Sequence, residues 1–406
     1  GGWINKRLSD ALSDEQIAFR KCRLHFLKAS CKGRRKGKTR MKRGISLLLC
    51  MLLMLGACAV GESESRGGLA FALEWMKSDS VRGQENAVIS PASAYLALTM
   101  AAMGAEGETK DELARLFGED GEKWPDHAAE LMKVLTKDKS NRVKIANSAW
   151  ARADVKLKKS YRRALKRTLG AQAFSAALSE ESGMKAINDW VKKNTGGMID
   201  QLLSKPLSEE AALALINTVY FKGAWSEEFD ENFTQKGEFT RDNGEKTETD
   251  FMRRVDDFRY WALEDGAQAI RLPYKGHEKA FLAILPPEGV SADEYLNALS
   301  AETLSNLMKS GTSAKVNLRM PRIDAACTFD MKDFLRDRGV TRAFDPTQAQ
   351  FGKMLKGSDS VWIGQILQKT RLKLDEKGTE ASAATIISME ATSARIPEEP
   401  IDLTLD

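Results

Sequence analysis

The residue pattern predicts one mixed α+β domain with large antiparallel sheets. Three observations carry that expectation. Apolar residues recur at helical spacing in several segments between 69 and 191. From 229 to 320 the pattern turns to short strand-like runs separated by turn residues. No internal repeat and no Pro/Gly/Ser-rich linker divides the chain. At 406 residues, 42% hydrophobic and 29% charged, with 30 Gly and 10 Pro, the chain can bury a sizeable core. The same numbers exclude a collagen-like, low-complexity or mostly disordered chain. Length alone suggests two or three domains, but the unbroken pattern favours one large one.

Taken in order, Leu69 to Lys77 has helical spacing, and Ala87-Val88-Ile89 reads as a short strand stopped by Ser90-Pro91. Ala92 to Gly104 is a nearly all-apolar buried helix, and Thr109 starts an amphipathic one with Leu113 and Leu116 on one face. Lys144 to Ala151 reads as a strand, Tyr161 to Leu169 as a basic helix and Met184 to Val191 as another helix. Ala211 to Phe221 is a long apolar run with β-branched residues near its end, hence a buried strand. A turn near Gly237 precedes strands at Phe258–Trp261, Ala269–Leu272, Ala280–Leu285 and Lys315–Met320. Helical patches at 292–308 and 330–338 follow, then a strand from Val361 to Lys373.

Of 62 Lys+Arg and 57 Asp+Glu, residues 1–40 carry 12 basic and 3 acidic. Lys42 and Arg43 add two more, which leaves 48 basic against 54 acidic in 58–406, a net of −6. The overall +5 therefore gives no ground for a nucleic-acid partner of the globular part. Residues 1–40 read as sequence upstream of a start at Met41, with a basic nucleic-acid-binding tail as the alternative. From Met41, a basic pair leads into the 14-residue apolar run Leu47–Val60. That run is too short for a membrane span of about 20 residues and suits a signal peptide over 41–57. Leu55-Gly56-Ala57-Cys58 resembles a bacterial lipobox, so Cys58 is the expected lipidation site and membrane anchor; a plain secretory signal is the alternative. Residues 58–68 are expected to be a linker. The expected location is extracytoplasmic, at the cell envelope.

Candidate catalytic sites are scarce. The five cysteines leave only Cys327 in the expected mature domain, so no internal disulfide is possible there. His127 and His277 have no G-x-S-x-G or similar nucleophile motif to serve. No H-E-x-x-H, C-x-x-C, Walker loop or G-x-G-x-x-G occurs. The chain is therefore not expected to be an enzyme, and no cofactor or metal is expected.

Residues 376–393 stand out. The alternate set Thr379, Ala381, Ala383, Thr385, Ile387, Met389 is small, then apolar, while Glu380, Ser382, Ala384, Ile386, Ser388, Glu390 is mostly polar. Such a period of two fits a strand that buries one face. Yet the Ala/Ser stretch has weak β-propensity, and Gly378 supplies a hinge. From the residues alone it is an interior strand, an Ala-rich helix, or a segment fit for a strand without being committed to one.

The stretch from Glu376 through Lys377, Gly378, Thr379, Glu380, Ala381, Ser382, Ala383 and Ala384 to Thr385 resembles the reactive-loop hinge of inhibitory serpins. Ordered matches accompany it: Asn86–Ser93, Gly104–Thr109, Ile145–Trp150, Ile187–Val191, Thr195–Ile199, Leu215–Trp225, Leu272–Gly276 and Leu285-Pro286. The resemblance spans about 69–406. It implies a serpin fold of three β-sheets with surrounding helices and an exposed reactive-centre loop. It implies a suicide-substrate inhibitor of serine proteases, with cysteine proteases as possible targets, acting as a monomer. The alternative is a non-inhibitory binding or chaperone protein of the same fold. Counting from the hinge places the reactive bond at Thr392–Ser393, with Ala391–Thr392 and Arg395–Ile396 as the other candidates. Thr392 implies an elastase-like target and Arg395 a trypsin-like one. Ser90, Ser93 and Asn217 match the shutter where the main sheet parts. Gln368 stands where the family usually carries His, so a His-linked pH response is not expected there. Trp225 matches the breach at the top of that sheet, and Arg322 is placed to pair with Glu376. The basic helix reads as a solvated face or a polyanion site. After Asp406 the family continues with a hydrophobic strand pair of sheet B, so the chain is expected to be C-terminally truncated and unstable or inactive as it stands.

Overall fold

The computed structural model describes residues 62–82, 86–118, 123–137, 141–241, 244–309, 311–356, 361–379 and 399–406. The first helix, Glu62–Met76, starts inside the stretch expected to be a linker. Its acidic first turn suits a helix N-terminus, so polarity at that end was no sign of irregular chain. Trp75 is fully buried from it against Phe329 and Phe334. The expected strand at Ala87–Ile89 is irregular chain. Side chains satisfy its neighbouring backbone: Cys327 Sγ donates to Asn86 O, and Gln368 bonds Ser90 in both directions. The helix Pro91–Gly104 follows, with Pro at its first turn and ten buried residues. It stops where a Cβ on Gly104 would meet Met354 Cε at 2.1 Å and the Tyr161 ring at 3.2 Å. Helices Gly107–Arg115 and Trp124–Lys137 complete this layer with the basic helix Lys159–Leu169, while helix Glu181–Asn194 packs in a separate core cluster. Trp124–Lys137 escaped the sequence reading.

The first sheet runs β2 (Gln172–Ala176), β1 (Arg142–Arg152), β3 (Leu213–Ala224), β11 (Gly378–Thr379), β10 (Ile363–Asp375) and β9 (Ile323–Asp330). β1 and β3 are antiparallel, as are β10 and β9, whereas β3 and β10 also pair directly and in parallel. The second sheet runs β12 (Ile401–Thr404), β8 (Thr312–Pro321), β5 (Lys246–Ala262), β6 (Gln268–Pro273) and β7 (Ala280–Leu285), with β4 (Gln235–Thr240) on β5. Three sheets were expected; the described residues form two, because the 17-residue β5 runs unbroken from its pairing with β4 to its pairing with β6. Gly237 does not make a turn. It lies within β4 opposite Thr249, where a Cβ would come within 2.8 Å of Phe251.

Fully buried Leu213, Leu215 and Ile216 of β3 face the helices on either side of the first sheet. Each such side chain contributes roughly 1.5–3 kcal/mol of transfer free energy. Across that sheet runs the chain after Glu181–Asn194. Asn188 holds it: Oδ1 accepts from Leu202 N and Leu203 N, and Nδ2 donates to Leu203 O, all at 2.9 Å. From β10, Lys369 Nζ donates to Gln201 O and Arg371 Nη1 to Met198 O. We expect Asn188→Ala to lower stability by about 1–3 kcal/mol, read as a lower urea midpoint with unchanged denaturant slope.

Candidate functional site: the opening of the central sheet

At the end of β10 the chain turns through Glu376 and Lys377 and doubles back as the two-residue β11. Gly378 pairs with Asp375 on one side and Ala224 on the other; Thr379 pairs with Leu374 and Gly223. Below this point β3 and β10 face each other directly, from Leu213–Ile363 to Val219–Thr370. The sheet is thus open at one end, with the hinge already lodged there. Gly378 is required twice over: its φ is 142°, and a Cβ would stand 2.1 Å from Gly223 O. Thr379 is 2% exposed, and its hydroxyl meets the Tyr274 phenol at 2.6 Å.

The turn is clamped from several sides. Trp225, 1% exposed, donates Nε1 to Asp375 O and its backbone N to Lys377 O, both at 3.0 Å. Phe229 N donates to Glu376 O at 2.9 Å. The Glu376 carboxylate lies buried against Arg322, whose Nε reaches both oxygens at 2.9 and 3.0 Å and whose Nη2 lies 2.7 Å from Oε1. Thr234 donates its hydroxyl to the same oxygen, and Asp250 holds Arg322 Nη1 at 3.0 Å. Burial by itself would raise the Glu376 pKa, but the hydrogen bonds from Arg322 and Thr234 outweigh it and hold the carboxyl below the usual range. Lys377 adds a pair with Glu231 at 3.3 Å.

Halfway down the sheet, Asn147, Asn217 and Gln368 stand in register across β1, β3 and β10, all buried. Asn217 Nδ2 donates to Asn147 Oδ1 at 2.6 Å. Gln368 accepts from Ser90 N and donates to Ser90 O, each at 2.9 Å, tying β10 to the start of Pro91–Gly104. Ser93 is brought near the helix start but bonds nothing. Its Oγ, Asn147 Nδ2 and Asn217 Oδ1 are buried without partners among the described residues. Such atoms cost about 1–3 kcal/mol each.

Thus the structure brings Glu376, Gly378, Thr379, Trp225 and Arg322 together at the breach, and Ser90, Asn217 and Gln368 together at mid-sheet. Glu380, Ala381, Ser382, Ala383, Ala384 and Thr385, the reactive-bond candidates Ala391, Thr392, Ser393 and Arg395, and Cys58 with the signal segment lie outside the described residues. Sequence reasoning gave no role to Tyr274, Gly223 or Asn147, although each sits inside a quoted motif. Thr234 and Asp250 carry no sequence signal at all.

The arrangement is a sheet open at one end that holds Gly378 and Thr379 between two strands, and comparisons with known proteins give it a class. The family model described as "Serpin (serine protease inhibitor)" matches residues 67–406. Glia-derived nexin of Rattus norvegicus is 30% identical over 319 residues, covering 76% of this chain and 80% of the relative. The structure of the thermophilic serpin tengpin in its native state gives a TM-score of 0.77 at 30% identity, covering 85% of this chain and 89% of that one. Tengpin in its latent state gives 0.71 at 31%, over 79% and 87%. Human thyroxine-binding globulin gives 0.76 at 20% identity, over 84% and 92%, a likeness of fold alone. The chain belongs to the serpin family.

The clamp predicts an acid response. A lowered folded pKa means that Glu376 stabilises the fold above the unfolded carboxyl value, near 4.5, and that this contribution is lost as pH falls through the lowered folded value. Arg322→Met should therefore lower the melting temperature near pH 7, and the gap to the parent should shrink steadily below about pH 4.5. A gap independent of pH would mean that the pair contributes packing only.

Proposed function

We propose that the protein is a suicide-substrate inhibitor of serine proteases that traps the acyl-enzyme by inserting its cleaved reactive loop into the first sheet. The observation that carries this reading is the register at the open end. Continuing the pairing of Gly378 and Thr379 down the sheet would set Ala381 between Phe221 and Leu372, Ala383 between Val219 and Thr370, Thr385 between Asn217 and Gln368, and Ile387 between Leu215 and Ile366. The last three flanking pairs already face each other in the closed part. Insertion then needs the two strands to part, without slipping. The flanking side chains on that face are buried, so small or apolar loop residues can enter where a charge would resist burial.

In the proposed cycle the protease serine hydroxyl attacks the Thr392 carbonyl. An ester forms to Thr392 Cα–C(=O), the Thr392–Ser393 amide breaks, and the proton freed from the serine leaves on the Ser393 amine. The loop then enters the sheet before water reaches the ester. Two new ladders of backbone hydrogen bonds, and a partner in reach of the orphaned Asn217 Oδ1, favour the inserted state. Serpin loop insertion is itself a standard example of such a stored-strain switch. We further propose an elastase-like target, from Thr392, and a monomer held at the cell envelope by lipid on Cys58 after removal of 41–57.

Incubation with an elastase-type protease followed by denaturing gel electrophoresis tests the reading. A covalent complex that survives SDS is the expected result; loop cleavage with no complex would instead mark a non-inhibitory binding protein. Thr379→Arg should turn the inhibitor into a substrate, with cleavage retained and complex lost. Unchanged inhibition by that variant would overturn the insertion step.

A further inference from the structure

Tyr274 occupies the junction of the two sheets, bridging Trp225 just after β6. Its ring stacks on Trp225, with centroids 4.7 Å apart and planes 8° off parallel, and meets Phe221 edge-on at 5.0 Å. The aromatic cage is closed by Gly223, where a Cβ would come within 3.0 Å of the Tyr274 ring. Lys275 N to Ala224 O at 2.9 Å and Ser226 N to Pro273 O at 3.0 Å lock the backbone around it. The phenol is thus held rigidly, 2% exposed, with its oxygen aimed at Thr379 of β11. Thr379 Oγ1 is its hydrogen-bond partner among the described residues. Burial raises the phenol pKa, partly offset by the bond to Thr379, so the group stays a neutral hydroxyl over the working pH range.

We propose that Tyr274 is a positioning residue for the hinge. Its hydroxyl anchors Thr379 between Gly223 and Leu374, at the place Thr379 would keep throughout insertion, so that insertion starts from a fixed foothold. The other groups that clamp this turn act on Asp375, Glu376 and Lys377. Among the described residues, only the Tyr274 contact grips a side chain that belongs to the proposed inserting strand itself. The consequence for protease trapping rests on the inhibitory reading above; the anchoring does not.

Hydrogen exchange on the full chain tests it. Tyr274→Phe keeps the ring in its stack and deletes one oxygen, while Thr379→Val keeps the shape of its side chain and deletes the other hydroxyl. Either alone should speed exchange of the Gly378 and Thr379 amides roughly fivefold, the equivalent of about one buried hydrogen bond. The double variant should be no faster than either single, as required of two groups that act only through each other. Amides of β5 and β8 serve as the internal standard and should not change. Unaltered hinge exchange in Tyr274→Phe, or additive effects in the double variant, would overturn the proposal; Thr379→Val reports on the same bond if the tyrosine variant does not fold. A parent chain that forms no covalent complex sinks the inhibitory reading and leaves the exchange result standing. If the complex forms, Tyr274→Phe should raise the molar ratio of inhibitor to protease needed for full inhibition about twofold, as insertion loses ground to deacylation. An unchanged ratio would refute the foothold.

Discussion

Strands β3 and β10 obey one register, and the molecule is organised around that constraint. Past a register shift between Ile363 and Gln365 they pair directly and in parallel over Ala214–Val219, and at Gly223 and Leu374 they accept Thr379 between them with the same offset. A parallel pair separated by an antiparallel third strand keeps its alignment only if both new ladders agree with the old one. Here they do, so the sheet can exist closed below and open above without strain in register. The helices, the second sheet and the clamped turn all support this half-open seam.

Polar contacts hold the seam closed. The two bonds between Gln368 and Ser90 tie β10 to the central helix, and Lys369 and Arg371 hold the chain that crosses the sheet. Against them stand the unpartnered Ser93 Oγ, Asn147 Nδ2 and Asn217 Oδ1, atoms that a closed sheet leaves in an apolar setting with nothing to bond. The clamp of Glu376 by Arg322 and Thr234, with Asp250 holding Arg322, has the opposite character: both carboxylate oxygens are met, so the turn after β10 is fixed.

Much of the fold was legible because burial imposes periodicity. The all-apolar stretch before Gly104, the β-branched run of β3 and the short strands after residue 229 were found this way. The failures have physical reasons. Glu62–Gly68 read as a polar linker because it has no apolar periodicity, yet the helix Glu62–Met76 begins there. Val88 and Ile89 are buried yet belong to no ladder, since side chains of Gln368 and Cys327 satisfy the backbone on either side. Gly237 resembled a turn residue but is a glycine because Phe251 lies too close for any Cβ. Among the described residues the strands merge into two sheets because one long strand, β5, serves two neighbourhoods.

By itself the sequence determined the class of element at most positions, the small-residue hinge with its Gly378, and the pairing partners Arg322 and Glu376 through resemblance. These follow from local sterics, from period-two patterning and from motif order, all of which are written along the chain. Only the tertiary structure decided that Thr379 is already inside the sheet, that Tyr274 meets it, and that Thr234 and Asp250 complete the clamp. Those facts depend on residues brought together from distant parts of the chain, where hydrogen-bond geometry and burial, rather than sequence spacing, choose the partner.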